Sequence, residues 1–235
     1  MTAQAALDQE AAFGLHAWQR DYALRTLEVY VSEVENRVFT AFEQAGEIGN
    51  QFAEDGESVP PARQAGIDQW YEEDEHRKDL AFAKDRIIEM AVAGLYHLWE
   101  RRAVHMLRLH ELSRSKSDDG KRKAAELSLN DFGEIRAQFE RLGWDLEIQP
   151  FYKKLNKLRL VTNAVKHGPG PAMTKLWRKC PTLFWPYNEP GHPIPADLPA
   201  EPSSANTLDL TADHFRDYAR AVEAFWKAVP IIDRE

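Results

Sequence analysis

The chain has 235 residues, with 30 Lys and Arg against 38 Asp and Glu, a formal net charge of −8 and 43% hydrophobic residues. This composition suits one folded domain with a substantial core, and the overall acidity argues against a general nucleic-acid binder, which needs clustered Lys and Arg. The lone cysteine, Cys180, excludes an intramolecular disulfide framework and a Cys-based zinc site. Charges interrupt every apolar run well short of the roughly 18 residues a membrane span needs. The opening MTAQAALDQE has no basic start followed by an apolar stretch, so the expectation is a single cytoplasmic domain over 1–235, with no cofactor and no metal.

The first predicted element is a long helix, roughly 15–45. Trp18, Tyr22, Leu24, Val29, Val31, Val34, Val38 and Phe42 recur among polar residues without Pro or Gly, fading near Gly46. Pro60-Pro61 marks the loop that follows. From about 64 to 113 the apolar residues keep the helical step again, and Ile87, Ile88, Ala91, Leu95, Leu98, Met106 and Leu109 share one arc. Gly94 inside that arc predicts a close helix contact, and the length predicts a kink or break at 74–79. Residues 113–124 read as a polar loop. Ser128, Asn130 and Asp131 offer caps for a short helix closed by Gly143. Pro150 fits the first turn of the next helix, which stops at Gly168-Pro169.

Residues 168–210 hold nine of the thirteen prolines and form an irregular arm, with two helical turns at 172–179. Trp185 and Tyr187 predict that the arm packs on the body, because disordered tracts are poor in aromatics. Thr211 then caps a last helix in which Phe215, Tyr218, Val222, Phe225 and Trp226 follow the helical step. The fold class is therefore all-α: a bundle of about five main helices with a proline-rich arm before the last one.

Charge is unevenly spread. Residues 148–188 contain no Asp or Glu but eight basic residues: Lys153, Lys154, Lys157, Arg159, Lys166, Lys175, Arg178 and Lys179. The rest of the chain carries 22 basic and 38 acidic residues. Two readings follow, a solvated basic face that pairs with acidic neighbours and an anion or phosphate site. On the helix in this block, Phe151, Leu155, Leu158, Val161, Thr162 and Val165 fall on one side and face the core. Asn156, Arg159, Asn163, Lys166 and His167 share the adjoining side. Arg supplies a planar fork for phosphate, Lys a second charge, Asn a neutral donor and acceptor, and His a proton carrier near neutral pH. The plain alternative is that Lys166 and His167 complement the helix C-terminal dipole. Arg102 also sits on the apolar arc of the second long helix, beside His105. A charge there either pairs or snorkels, or it faces the motif helix and completes a phosphate pocket. Trp177, Phe184, Trp185 and Tyr187 either anchor the arm or stack bases.

The long helical pair and the late helix KLRLVTNAVKHGPG, 157–170, resemble the all-α HEPN superfamily, whose ribonuclease members carry Arg, often Asn, and then His near such a helix end. Seven residues separate Arg159 from His167, more than the family's usual interval. Where Asn163 and His167 are aligned with the Arg-Asn-x-x-x-His form, Thr162 stands in the arginine position. The resemblance implies a homodimer whose motif helices face across a cleft and a metal-independent endoribonuclease in which a ribose 2′-hydroxyl attacks phosphorus. His167, Arg159 and Asn163 would be catalytic, and Lys166, Asn156, Arg102, Lys153 and Lys157 would hold phosphate. It further implies a toxin or antiviral-defence role, with an antitoxin or defence-system partner protein. The departures from the motif keep two alternatives open: a non-catalytic HEPN-like module that binds RNA, a nucleotide or a protein, and a helical scaffold whose basic block docks an acidic partner.

Overall fold

The computed structural model describes residues 14–44, 63–115, 117–125 and 131–232, and among them the chain is all-α. Strand-like pairing is confined to single bridges, Leu15 with Ile231 and Phe184 with Leu208. The expectations at Gly46, Pro60-Pro61, Ser128 and Asn130 fall outside the described residues. Helix α1, Ala17–Glu33, continues through a π-helical turn, Val34–Phe39, to residue 44. Helix α2, Arg63–Arg114, runs for 52 residues without interruption, so the break predicted at 74–79 is absent. Residues 67–93 contain neither Pro nor Gly, and the acids of that stretch give the helix no reason to stop.

The polar segment 113–124 is also not a loop. Helix α3, Asp118–Ala125, occupies much of it. Asp118 and Asp119 sit in its first turn, where negative charge complements the dipole, and ion pairs Asp119–Arg122 (2.8 Å) and Asp118–Lys121 (3.8 Å) brace it. Helix α4, Phe132–Arg141, starts at Asp131, whose carboxylate accepts the Glu134 N–H at 2.9 Å. Helix α5 is Tyr152–His167, α6 is Pro171–Lys179 and α7 is Ala212–Ala228. Pro150 stands in the turn before α5 rather than in its first helical turn, because Phe151 is the N-cap.

Packing centres on α2, which lies against α5, α7 and α4, while α1 covers α7. The Phe225 ring of α7 meets Trp99, Phe139, Trp144 and Phe151 at 5.3–5.8 Å between centroids, tying four parts of the chain together. Gly94 does provide the close contact expected of it. A Cβ there would lie 2.3 Å from the Tyr30 hydroxyl, which donates to the Ala91 carbonyl at 2.8 Å. The arm is anchored, not floating. Trp177 and Phe184 are fully buried and meet edge-to-face at 5.1 Å, and the Trp177 indole N–H donates to the Pro199 carbonyl at 2.7 Å. Tyr187 leans on Trp177 at 5.6 Å, whereas Trp185 is exposed. No helix among the described residues is long and apolar enough to cross a membrane.

Thr211 caps α7 as expected. Its hydroxyl accepts the His214 N–H, and His214 Nδ1 accepts the Thr211 N–H at 3.1 Å, a reciprocal box that requires a neutral imidazole. Burial first, and then Lys157, hold the His214 pKa below its ordinary value.

Two stability predictions follow from these contacts. Gly94→Ala gains about 1 kcal/mol of helix propensity but displaces the Tyr30 hydroxyl, for a net loss of about 1–2 kcal/mol. In a Tyr30→Phe background that loss shrinks below about 0.5 kcal/mol; equal losses in both backgrounds, measured by denaturant unfolding, contradict the contact. For His214, the unfolded side chain titrates near about 6.5 and the folded one lower. The unfolded chain therefore binds more protons as pH falls, so the box is at full strength above that value and is lost through the folded pKa. His214→Gln keeps an acceptor at every pH. The melting temperature of this variant should fall less than that of the wild type between pH 7.5 and 5 (about 2.5 pH units across the His range), and parallel curves would remove the assignment.

Candidate functional site

Helix α5 carries the acid-free block into the centre of the fold. Its inner side is set by burial: Leu155, Leu158 and Val161 are fully enclosed, Phe151 nearly so, and Val165 packs partly against the core. Thr162 belongs to the same side, fully buried with a hydroxyl that has no hydrogen-bond partner. An arginine at 162 would place its charge in that core, so the Arg-Asn-x-x-x-His alignment puts its arginine on the wrong side of this helix. The helix ends where expected. Gly168 takes φ 64°, its N–H bonds the Ala164 carbonyl at 2.9 Å, and Pro169 forbids another turn.

The opposite side of α5 sorts into held and unheld residues. Arg159 is held. Its Nε and Nη2 donate to Asn156 Oδ1 at 3.0 and 2.9 Å, and its guanidinium lies over the Phe132 ring at 5.3 Å. Nearby, Tyr96 donates to Glu100, whose carboxylate also meets His97 Nδ1 at 3.2 Å. The Tyr96 pKa is raised, by burial above all and by Glu100 next, while Arg159 pulls it back. Asn163 is half-buried, Lys166 and His167 are exposed, and none of the three has a hydrogen bond or ion pair among the described residues. Lys153 is exposed and likewise unpaired. Lys154 instead bridges to Asp217 of α7 at 3.0 Å. Lys157 is half-buried, close enough to His214 and Cys180 to lower both pKa values, although burial pushes the Cys180 thiol up.

Arg102 is engaged by α1, its guanidinium 4.4 Å from the centroid of the Tyr22 ring. Trp177 and Phe184, offered as base-stacking candidates, are core anchors and unavailable to a ligand. Sequence reasoning missed Tyr96 and Phe132 as neighbours of Arg159. Only the i, i+4 step from Tyr96 to Glu100 hinted at a shared face on α2.

Beyond Gly168, a cleft of about 1050 Å³ opens between α2, the start of α6 and the arm. Val165 and Gly168 reach its wall; Asn156, Arg159, Asn163, Lys166 and His167 do not. The site residues of α5 thus lie outside this cleft. Comparisons with protein-family models, curated proteins and solved structures return no match.

The division into held and unheld residues predicts different stability costs. Arg159→Ala loses the Asn156 fork and the Phe132 stack, about 1–2 kcal/mol. Lys166→Ala and His167→Ala stay within about 0.5 kcal/mol of wild type. Denaturant unfolding of the three variants checks this; equal costs would mean that Arg159 is not held.

Proposed function

We propose that this chain is an RNA-binding helical module of the HEPN type, using the outer face of α5. One observation carries the reading. The acid-free block folds into two successive helices that bury Leu155, Leu158, Val161, Leu176 and Trp177, and on α5 it leaves Lys153 and Lys166 exposed. Among the basic residues of that block, the ion pair of Lys154 with Asp217 is the one recorded within the described residues. Unpaired cations spread along a helix face suit the backbone of an extended strand, in which phosphates recur and no pocket is required. Asn156 and Arg159 would hold one phosphate as a preset fork, and Asn163, Lys166 and His167 the next.

A second reading, metal-independent RNA cleavage, is favoured by one feature: His167 stands at the helix end, exposed and unpartnered, beside the equally unpartnered Lys166 and Asn163. There it would carry the proton of an attacking 2′-hydroxyl while Lys166 and Arg159 offset charge on phosphorus. The homodimer, the toxin or antiviral role and an antitoxin or defence partner belong to this reading.

Fluorescence anisotropy with an unstructured RNA carrying a 5′-hydroxyl tests the first reading. Affinity should fall steeply with salt, and Lys153→Glu with Lys157→Glu should weaken binding about tenfold at low salt. Unchanged affinity overturns the RNA reading. Incubation with the same RNA in EDTA tests the second: cleavage to 2′,3′-cyclic phosphate ends that His167→Ala abolishes supports it, and cleavage surviving that change removes His167 from the chemistry.

A further inference from the structure

The cleft beyond α5 is built from residues that the RNA-binding face does not use. Helix α6 is two-sided: Leu176 and Trp177 are buried, while Thr174, Lys175, Arg178 and Lys179 line the cleft. Four cations border it in all, because Arg86 of α2 stands on the far wall. Arg86 is already spent, and Arg178 in part. Arg86 pairs with Glu89 at 2.8 Å and covers the Phe82 ring, and Arg178 Nε donates to the Ala200 carbonyl at 2.9 Å. That second bond fixes Arg178 against the arm and leaves its terminal nitrogens open. Lys175 and Lys179 carry no hydrogen bond or ion pair among the described residues, and neither does the hydroxyl of Thr174.

The carboxylates of the cleft do not cancel this charge. Glu89 is buried, its side chain 8% exposed, and committed to Arg86. Glu201 lies on the arm, exposed and unpartnered among the described residues, next in the chain to Ala200, whose carbonyl Arg178 holds. One wall therefore presents three cations within two helical turns. The other presents an acceptor carboxylate and the Ser204 hydroxyl, with Pro202 and Leu208 as apolar surface. A compact dianion would satisfy the first wall, and a polyhydroxylated body the second.

We propose that this cleft binds a phosphomonoester of a sugar, with the phosphate on Lys175, Arg178 and Lys179 and the sugar hydroxyls donating to Glu201. A phosphodiester bears one charge and has ester carbons on two sides, so it matches three clustered cations less well than a terminal phosphate does. The site is separate from the α5 face and stands whether or not that face binds RNA.

Two sources share this chemistry, a free sugar phosphate and the terminal phosphate of an RNA. The test compares ribose 5-phosphate with ribose by thermal shift, and 5′-phosphorylated with 5′-hydroxyl RNA of one sequence by anisotropy. Lys175→Gln with Lys179→Gln is the control, since neither side chain holds a protein partner and the fold should persist, as its unligated melting temperature will show. Stabilisation by ribose 5-phosphate alone, lost in the variant, assigns the cleft to a free sugar phosphate. A roughly tenfold preference for the 5′-phosphorylated RNA, lost in the variant, assigns it to an RNA end. No phosphate-dependent effect in either arm, or effects equal in wild type and variant, overturns the proposal. Because the 5′-hydroxyl RNA reports only on the α5 face, failure of that reading and failure of this one give different results.

Discussion

Burial of one ring, Phe225, organises this protein. It meets its neighbour Trp226 edge-to-face at 4.8 Å and also meets Trp99 of α2, Phe139 of α4, Trp144 of the following turn and Phe151 at the head of α5. Aromatic pairs of this kind add about 0.5–1.5 kcal/mol each beyond their buried area. The larger effect is geometric. With Phe151 pinned against Phe225, the rotation of α5 about its own axis is set, and every later residue of the helix inherits it. Leu155, Leu158 and Thr162 must turn inward, and Asn156, Arg159, Asn163 and Lys166 must turn away.

That rotation explains how an acidic protein comes to present a basic surface. The net charge of −8 averages an acid-free block against a strongly acidic remainder, and folding places the block's cations outside because its apolar residues claim the core. Only part of this charge is free. Lys154 ties α5 to α7 through Asp217, and Arg159 is fixed by Asn156 and Phe132. The helix thus carries one arginine already held in position and, about two turns on, an unpaired Lys166-His167 end. This sequence of held and free groups resembles a surface for successive phosphates more closely than a concentrated catalytic pocket.

Much of this was legible before folding. Gly168-Pro169 stops α5, Thr211 starts α7 and Gly94 admits Tyr30, because each rests on local backbone or capping chemistry. The two faces of α5 were legible from period alone. Misreadings arose where acidity or polarity was taken for a breaker: α2 runs through 74–79, and α3 forms at Asp118–Ala125, since neither stretch contains proline and the acids of α3 sit at its favourable end. What period could not reveal was partnership between helices. That Arg102 would be taken by Tyr22, and that Tyr96 and Phe132 would lie beside Arg159, depends on how α1, α2, α4 and α5 are set against one another.

The central claim is that ligand phosphates meet this protein on the outer face of the 148–188 block and not on its acidic remainder. Ultraviolet crosslinking to an RNA oligonucleotide, followed by mass spectrometry of the protein peptides, tests it most directly. The account predicts crosslinks concentrated on peptides of α5, around Lys153, Lys166 and His167, and thinning as salt rises. Crosslinks confined to α1 or α2, or absent at low salt, would contradict it.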